Sequence, residues 1–312
     1  MWIKFVHKNH ILICLLGGEN MDSFSGAQYN TYRPVYYKHS GKMTPLGVIY
    51  MLLFGIIGAI VLSLIYCYAT IYIPFVYINF LLTLCYGGAV GLIVAIGAKK
   101  GKIRNIKLLI GIAIIIGVFA EYTNWVSWIY VFTKHKVFTL SLVKIKSLIE
   151  LMAVTGVWSI KGSVVKGASL YIIWVVEAAI IIGASAYGAF AHLKSVPFCE
   201  DCNEWVNKKR KISFREPILN QFDARMRLER MDYEPITSLK PVGIDSKAYT
   251  EIELRDCPIC NQKHYITVKS IIINEISKGR KKKETKKVVN MVAENLIVDS
   301  ESFSNIKSAL QI

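Results

Sequence analysis

The chain has no charged residue between Met43 and Ala98, and this stretch constrains the fold more than any other feature. A helix needs roughly 20 apolar residues to cross a bilayer, so the stretch is long enough for two crossings. Pro74 lies near its middle, where a turn between two helices would fall. Hydrophobic residues make up 53% of the whole chain and charged residues 19%, a balance that excludes a disordered protein and disfavours an ordinary soluble one.

The apolar segments predict four transmembrane helices, at about 46–68, 75–97, 108–132 and 168–192. The intervening residues 133–167 contain several lysines, and within them residues 138–154 predict an amphipathic or re-entrant helix rather than a fifth span. Residues 1–193 carry 16 Lys and Arg against 5 Asp and Glu, whereas residues 194–312 carry 22 against 17. We therefore predict an α-helical membrane protein, with a four-helix transmembrane bundle in residues 44–193 and a water-soluble domain in residues 194–312.

Basic residues near the membrane ends indicate the orientation of the bundle. The loop after the second span is rich in them, and the turn between the first two spans has none. Both termini, including the tail 21–43, are therefore predicted to lie in the cytoplasm, in the inner (plasma) membrane of a bacterial cell. The lysines of residues 133–167 disagree with this orientation, because it places them on the outer side of the membrane.

The first residues of the chain indicate that its start is mis-assigned. The apolar run 11–16 is not followed by the small-residue cleavage site that a signal peptide requires. Gly17, Gly18 and Glu19 can be encoded by a purine-rich stretch like a bacterial ribosome-binding site, and it lies just before Met21. We expect translation to begin at Met21, with residues 1–20 outside the natural protein.

Four of the seven cysteines form two matched pairs, Cys199–Cys202 and Cys257–Cys260, each with two residues between them. This spacing places two thiolates on one side of a tight turn, as two corners of a zinc tetrahedron require. Each pair is followed by Asn, which tolerates the left-handed backbone of such a turn. An aromatic residue follows each turn, Trp205 and Tyr265, and could shield a metal.

The two pairs resemble the knuckles of zinc-ribbon modules, over about residues 198–270. The resemblance implies a structural Zn²⁺ held by four thiolates and a small α+β zinc-ribbon-like domain. The insert between the knuckles is longer than in ribbons, and we expect it to form an added subdomain. Redox-active CxxC pairs and two disulfides in an exported domain remain alternatives. His264, near the second knuckle, is expected to be a polar surface residue.

The soluble half predicts a helix and three strands. Residues 216–231 have helical spacing, with Ile218, Phe222, Met226 and also Leu228 on or near one face. Residues 249–254 alternate as a strand does, and residues 265–276 and 287–298 are β-rich segments on either side of a basic hairpin turn.

Two carboxylates lie inside predicted spans, Glu121 and Glu177, at matching depth on neighbouring antiparallel helices. With Asn124, one turn beyond Glu121, they form a candidate intramembrane polar site for a proton or an ion. The alternative is a structural cluster near the outer interface, with each acid paired to Lys161 or Lys166. We favour this second interpretation, because no inverted repeat of the transporter kind is visible.

Two basic clusters in the soluble half are candidate contacts for anionic lipid headgroups. A solvated surface without a partner is the equal alternative, and nucleic acid is a weaker one. The clusters are formed by Lys208, Lys209, Arg210 and Lys211, and by Arg280, Lys281, Lys282 and Lys283.

The sequence contains no Walker A loop, GxGxxG, HExxH or GxSxG motif. We therefore expect a non-enzymatic, membrane-anchored interaction or regulatory module that binds an unidentified cytosolic protein. Small residues at spacing four, such as Gly87–Gly91 and Ala184–Gly188, favour close helix packing and allow a homo-oligomer. The alternative function is a small ion or solute transporter or channel that uses Glu121 and Glu177.

Overall fold

The structure is a computed structural model that describes residues 36–73, 76–156, 159–160, 163–243, 245–278 and 282–311. The predicted start at Met21 and most of the predicted tail lie outside these residues. The first five helices are α1 (Pro45–Tyr72), α2 (Val76–Lys100), α3 (Ile106–Phe132), α4 (Leu142–Thr155) and α5 (Ala168–Lys194).

Four of these helices, α1, α2, α3 and α5, are long and apolar enough to cross a membrane. They coincide with the four predicted spans to within a few residues at each end. Helix α4 corresponds to the predicted amphipathic segment, and its 14 residues are too few for a crossing.

Polar caps determine where the long helices begin. The side chain of Thr44 accepts a hydrogen bond from the backbone N–H of Gly47, and Pro45 occupies the first turn, where its missing N–H costs nothing. Asn105 caps α3 in the same way, through the N–H of Leu108. The Thr44 hydroxyl also donates to the carbonyl oxygen of Gly101 at 2.7 Å, which joins the start of α1 to the end of α2.

The small residues predicted to support close packing lie at the contact between α2 and α5. A Cβ atom added to Gly91 would overlap the carbonyl group of Ser185, and one added to Gly87 would lie 2.5 Å from the carbonyl oxygen of Ile181. From the other side, a Cβ on Gly188 would lie 2.7 Å from the carbonyl oxygen of Gly88. The two backbones approach this closely because glycine has no side chain, as helix association in lipid favours.

The soluble domain is a four-stranded antiparallel sheet with helices packed against it. The four strands of the sheet are ordered as they follow one another along the chain. The strands are β1 (Ser159–Ile160), β2 (Ser163–Val164), β3 (Phe198–Cys199), β4 (Glu204–Trp205), β5 (Arg210–Arg215), β6 (Ala248–Asp256), β7 (His264–Lys278) and β8 (Lys282–Val298). The helices are α6 (Gln221–Glu229), α7 (Glu234–Thr237) and α8 (Ser300–Leu310). The prediction of four apolar helices followed by a strand-rich domain with a cysteine cluster is confirmed.

The insert between the two cysteine pairs does not form a separate subdomain. It supplies β5, β6, α6 and α7, and β6 pairs with β7 along its whole length, from Ala248 opposite Ile272 to Asp256 opposite His264. The sheet core is closed by α8, which Asp299 caps through the N–H of Ser302, and which contributes Phe303 and Ile306.

Helix α6 differs from the prediction in the face that it buries. Ala224 and Leu228 pack into the core, together with Ile218 just before the helix. Phe222 and Met226, expected beside Ile218, are instead 77% and 36% exposed. The helix is shorter than predicted because Asn220 caps its start, so the face is set by Ala224 and Leu228, one turn apart.

We predict that Gly91→Ala destabilises the bundle, because the added methyl group must displace the backbone of α5 near Ser185. Overpacking of this kind costs about 1–3 kcal/mol, which lowers the melting temperature of the detergent-solubilised protein by several degrees. Gly88→Ala, on the same helix, is the matched control, since its Cβ would meet nothing within 4 Å. Equal melting temperatures for the two variants would contradict the close approach of α2 and α5.

Candidate functional site

The two cysteine turns have the same local structure. In the first, β3 pairs with β4, and Asn203 closes the turn with a φ of 51°. In the second, the N–H of Cys257 donates to the carbonyl oxygen of Lys263, and Asn261 also has a φ of 51°. Both Asn residues therefore adopt the left-handed backbone that the sequence predicted, where asparagine is among the few tolerated side chains.

The sulfur atoms of the four cysteines converge on one point. The Sγ atoms of Cys199, Cys202, Cys257 and Cys260 all lie within 4.8 Å of one another. Two of them, Cys199 and Cys260, are 3.9 Å apart, close to the ~3.8 Å separation that Zn–S bonds of ~2.3 Å give in a tetrahedron. All four are free thiols. Four thiolates in this arrangement fit a tetrahedrally coordinated metal ion and leave it no open position for a substrate.

One of the four thiols is favoured as a thiolate, the form that binds metal. The backbone N–H of Gln262 points at the sulfur of Cys260 and lowers the pKa of that thiol to about 7. Cys199 and Cys257 are buried, and burial raises the pKa of the Cys199 thiol. A metal ion would supply the positive charge that favours deprotonation of such buried thiols.

Of the two aromatic residues predicted to cover the cysteine cluster, Tyr265 does so and Trp205 does not. Tyr265 packs beside the cysteines with Val206 and Tyr37, and the rings of Tyr37 and Tyr265 meet edge to face at 5.6 Å. Trp205 lies instead against Phe198, in the same core as the long helices, and its indole N–H donates to the carbonyl oxygen of Lys99 at 2.9 Å. The sequence predicted that Trp205 would shield a metal, but Trp205 lies at the end of α2 instead.

The first cysteine turn is bound to the end of the helix bundle through Glu200. This carboxylate, between two candidate metal ligands, accepts hydrogen bonds from Ser40 at 2.6 Å and from Lys42 at 3.2 Å. It also pairs with Arg104 at 3.2 Å. Arg104 is only 7% exposed, and its guanidinium lies 4.3 Å from the ring centroid of Phe198. Glu200 is thus tied to the segment before α1 and to the loop before α3.

A second set of contacts joins the sheet to the end of α5. Asn295 is buried and its backbone has a φ of 51°. Its side-chain amide donates a hydrogen bond to the carbonyl oxygen of Ser195 at 3.1 Å. The backbone N–H of Tyr37 donates to the carbonyl oxygen of Asn295, and the His39 ring contacts the carbonyl oxygen of Lys194. The bundle and the soluble domain therefore meet in a packed, hydrogen-bonded junction.

His264 is not the surface residue that the sequence predicted. It is 3% exposed, its ring stacks on Phe303 at 4.2 Å, and Nε2 lies 3.2 Å from the hydroxyl of Ser300. Burial, followed by the charge of Lys307, lowers its pKa. It belongs to the contact between the sheet and α8 and is not one of the residues in the cysteine cluster.

The two acids inside the long apolar helices, Glu121 and Glu177, have different surroundings. Glu177 accepts a hydrogen bond from the hydroxyl of Tyr66 at 2.6 Å, and that hydroxyl also contacts Thr83 at 2.7 Å. Glu121 lines a cavity of about 420 Å³ between α3, α4 and α5. Its Oε2 atom and the Oδ1 atom of Asn124 are buried without a hydrogen-bond partner in the described part of the chain.

Lys166, one of the two lysines predicted to pair with these acids, pairs with neither of them. Neither Glu121 nor Glu177 forms an ion pair with any residue that the structure describes, Lys166 included. The side chain of Lys161 lies outside the described residues. An unpaired acid among apolar helices is costly, so these two positions remain a candidate polar site.

The first basic cluster is partly folded back onto the sheet. Lys209 and Lys211 lie 3.6 and 3.2 Å from the carboxylate of Glu253. Lys208 and Arg210 are exposed. In the second cluster, Arg280 and Lys281 lie outside the described residues, as do the side chains of Lys282 and Lys283.

No protein-family model, curated protein or solved structure matches this chain. The features that bear on function are therefore the cysteine cluster, its junction with the bundle and the intramembrane acids.

We predict that Cys257→Ser unfolds the soluble domain, because structural metal binding supplies more free energy than such a small domain retains without it. Limited proteolysis of the detergent-solubilised protein should then cleave the chain after Lys194 and leave a resistant bundle fragment. Cys85→Ser is the matched control, since Cys85 is exposed and far from the cluster in sequence. Equal resistance of the two variants would show that the cluster does not hold the domain together.

Proposed function

We propose that this protein is a non-enzymatic, membrane-anchored interaction module of the inner (plasma) membrane. Its soluble domain lies in the cytosol, is stabilised by a structural Zn²⁺ and binds a protein partner. The closed set of four thiolates supports the metal assignment, because Zn²⁺ favours tetrahedral sulfur ligands and a closed site does not catalyse. A four-cysteine site suited to metal binding and a lysine-rich loop on the domain's side of the bundle support the cytosolic location.

The observation that carries this proposal is an exposed apolar surface on the metal-containing domain. Leu219, Phe222 and Met226 follow one another at helical spacing along the start and outer face of α6, and they are 88%, 77% and 36% exposed. Contiguous exposed apolar side chains that include an aromatic residue are typical of a protein–protein contact.

The remainder of the domain supports a binding role by holding this surface in place. Leu228, two residues after Met226, is buried in the sheet core. Arg225 lies over the ring of Tyr36 and pairs with Glu229, and the Tyr36 hydroxyl donates to the same carboxylate. Because the backbone of Tyr36 bridges to Leu296 of β8, α6 is fixed to the sheet and to the segment that enters α1.

A second candidate function is the passage of an ion or small solute through the bundle. The observation that favours it is the buried, unpartnered carboxylate oxygen of Glu121, beside the cavity between α3, α4 and α5. A carboxylate in such a site would bind a cation or exchange a proton.

We predict that a photo-crosslinking amino acid at position 222, introduced into the full chain in its native membrane, forms an adduct with a protein. The same probe at Arg230, exposed at the end of the same helix, is the control and should form no such adduct. Leu219→Ser should reduce the yield about tenfold, because it removes a neighbouring apolar contact worth 1–2 kcal/mol. Adducts with lipid alone, or equal yields at the two positions, would contradict the proposal.

Variants of the two acids distinguish the two functions. With the probe at position 222, Glu121→Gln and Glu177→Gln should leave the crosslink unchanged if the protein is an interaction module. If it is a transporter, these variants should abolish flux through liposomes that contain the purified chain. A crosslink that is lost in both variants would contradict the separation of the two sites.

A further inference from the structure

A basic cluster lies at the junction between the bundle and the soluble domain. Its first member is Lys99, in the last turn of α2. The lysine is half-buried, and its ammonium group has no acceptor among the residues that the structure describes. Its carbonyl oxygen binds the indole N–H of Trp205, so this residue lies directly under the soluble domain.

Arg255 of β6 approaches the same point from the domain. It is only 7% exposed, and its guanidinium contacts the carbonyl oxygen of Val206 at 3.4 Å. The Nε atom is buried and has no hydrogen-bond partner within the described ranges. Because Trp205 and Val206 are consecutive, Lys99 and Arg255 lie beside the same short segment, within electrostatic range of each other.

A third basic residue, His192, belongs to the end of α5. Like Lys99, it lies in the last turn of its helix. Helix ends favour cations, and α2 and α5 both end here, but a helix dipole amounts to only about half an elementary charge. The exposed Lys100 and Lys194 already lie in the same last turns.

The nearest acids on the sheet are already engaged. Lys269 lies 2.7 Å from the carboxylate of Glu253 and 3.1 Å from that of Glu251. Lys211 contacts the same two acids, and Arg255 lies 3.5 Å from Glu253. The basic side chains around Glu251 and Glu253 therefore outnumber these two carboxylates, even without Lys99. An anion from outside the chain would stabilise a partly buried positive charge that has no acid to pair with.

We propose that Lys99 and Arg255 bind the phosphate group of an anionic phospholipid from the leaflet on the side of the soluble domain. A guanidinium and an ammonium group are the usual protein ligands of phosphate. The source is a lipid, because Lys99 and His192 end two helices that are long enough to span a bilayer, at the level where headgroups lie. The bound headgroup neutralises the cluster and connects the domain to the membrane surface.

This site differs from the basic run at residues 208–211. In that run, Lys209 and Lys211 are directed towards Glu253, so they complete the charge network behind Arg255. The lipid contact therefore depends on a lysine of the bundle and an arginine of the sheet, which come together only in the folded chain.

The test uses the full chain in detergent, delipidated and titrated with phosphatidylglycerol, with lipid-bound forms counted by native mass spectrometry. Phosphatidylcholine, which has a phosphate but no net charge, is the reference lipid. The wild-type chain should prefer phosphatidylglycerol at one site. Lys99→Gln and Arg255→Gln should each weaken that binding about tenfold, because each removes one charge-assisted contact with the phosphate.

Lys100→Gln is the matched control, since Lys100 is the exposed neighbour of Lys99 and lies over the ring of Phe54. It should bind phosphatidylglycerol as the wild-type chain does. Lys99→Gln removes no contact within the described chain, so it tests the site even if Arg255→Gln perturbs the fold. Equal binding by Lys99→Gln and Lys100→Gln would overturn the proposal. Binding of inorganic phosphate at Lys99 without any binding of phosphatidylglycerol would overturn the lipid as its source.

Discussion

The convergence of four thiols is the constraint on which the soluble half depends. Cys199 follows closely after the end of α5, and Cys257 stands between the two central strands of the sheet, β6 and β7. A metal ion held by both turns would therefore fix the exit from the bundle to the middle of the sheet. It would also close a long loop, so the elements between the turns, β5, α6, α7 and β6, would lose much of their freedom in the unfolded chain.

The cysteine cluster is coupled to the bundle through the residues that lie between and beside its four cysteines. Glu200 bonds to Arg104, and Phe198 packs under that arginine in the same core as the bundle helices. Asn295 makes the equivalent connection to the end of α5. The domain is thus held in a defined orientation by groups that belong to both halves. An exposed surface on α6 would be presented at a fixed position relative to the membrane end of the bundle.

Features set by local pattern could be predicted from the sequence, and those set by long-range contact could not. The four long helices follow from apolar composition alone, and the two cysteine turns follow from the CxxC spacing and the Asn after each. The role of Trp205 was misassigned because two aromatic residues at similar offsets from the knuckles face different neighbours in the fold. The burial of His264 depends on α8, whose spacing of Phe303, Ile306 and Leu310 was a signal that could have indicated an amphipathic helix. The pairing of Arg104 with Glu200 joins residues far apart in the chain, and no single-sequence pattern reports it.

The central claim is that one metal ion, held by four thiolates, organises the soluble domain and its junction with the bundle. Its most direct test is the metal content of the full chain, purified in detergent without added metal and measured by elemental mass spectrometry. We expect about one zinc ion per chain, lost together with the folded domain when a strong chelator is added. A metal-free chain whose four cysteines are joined in disulfides would contradict it, because the domain would then belong to an oxidising compartment and the orientation of the bundle would be reversed.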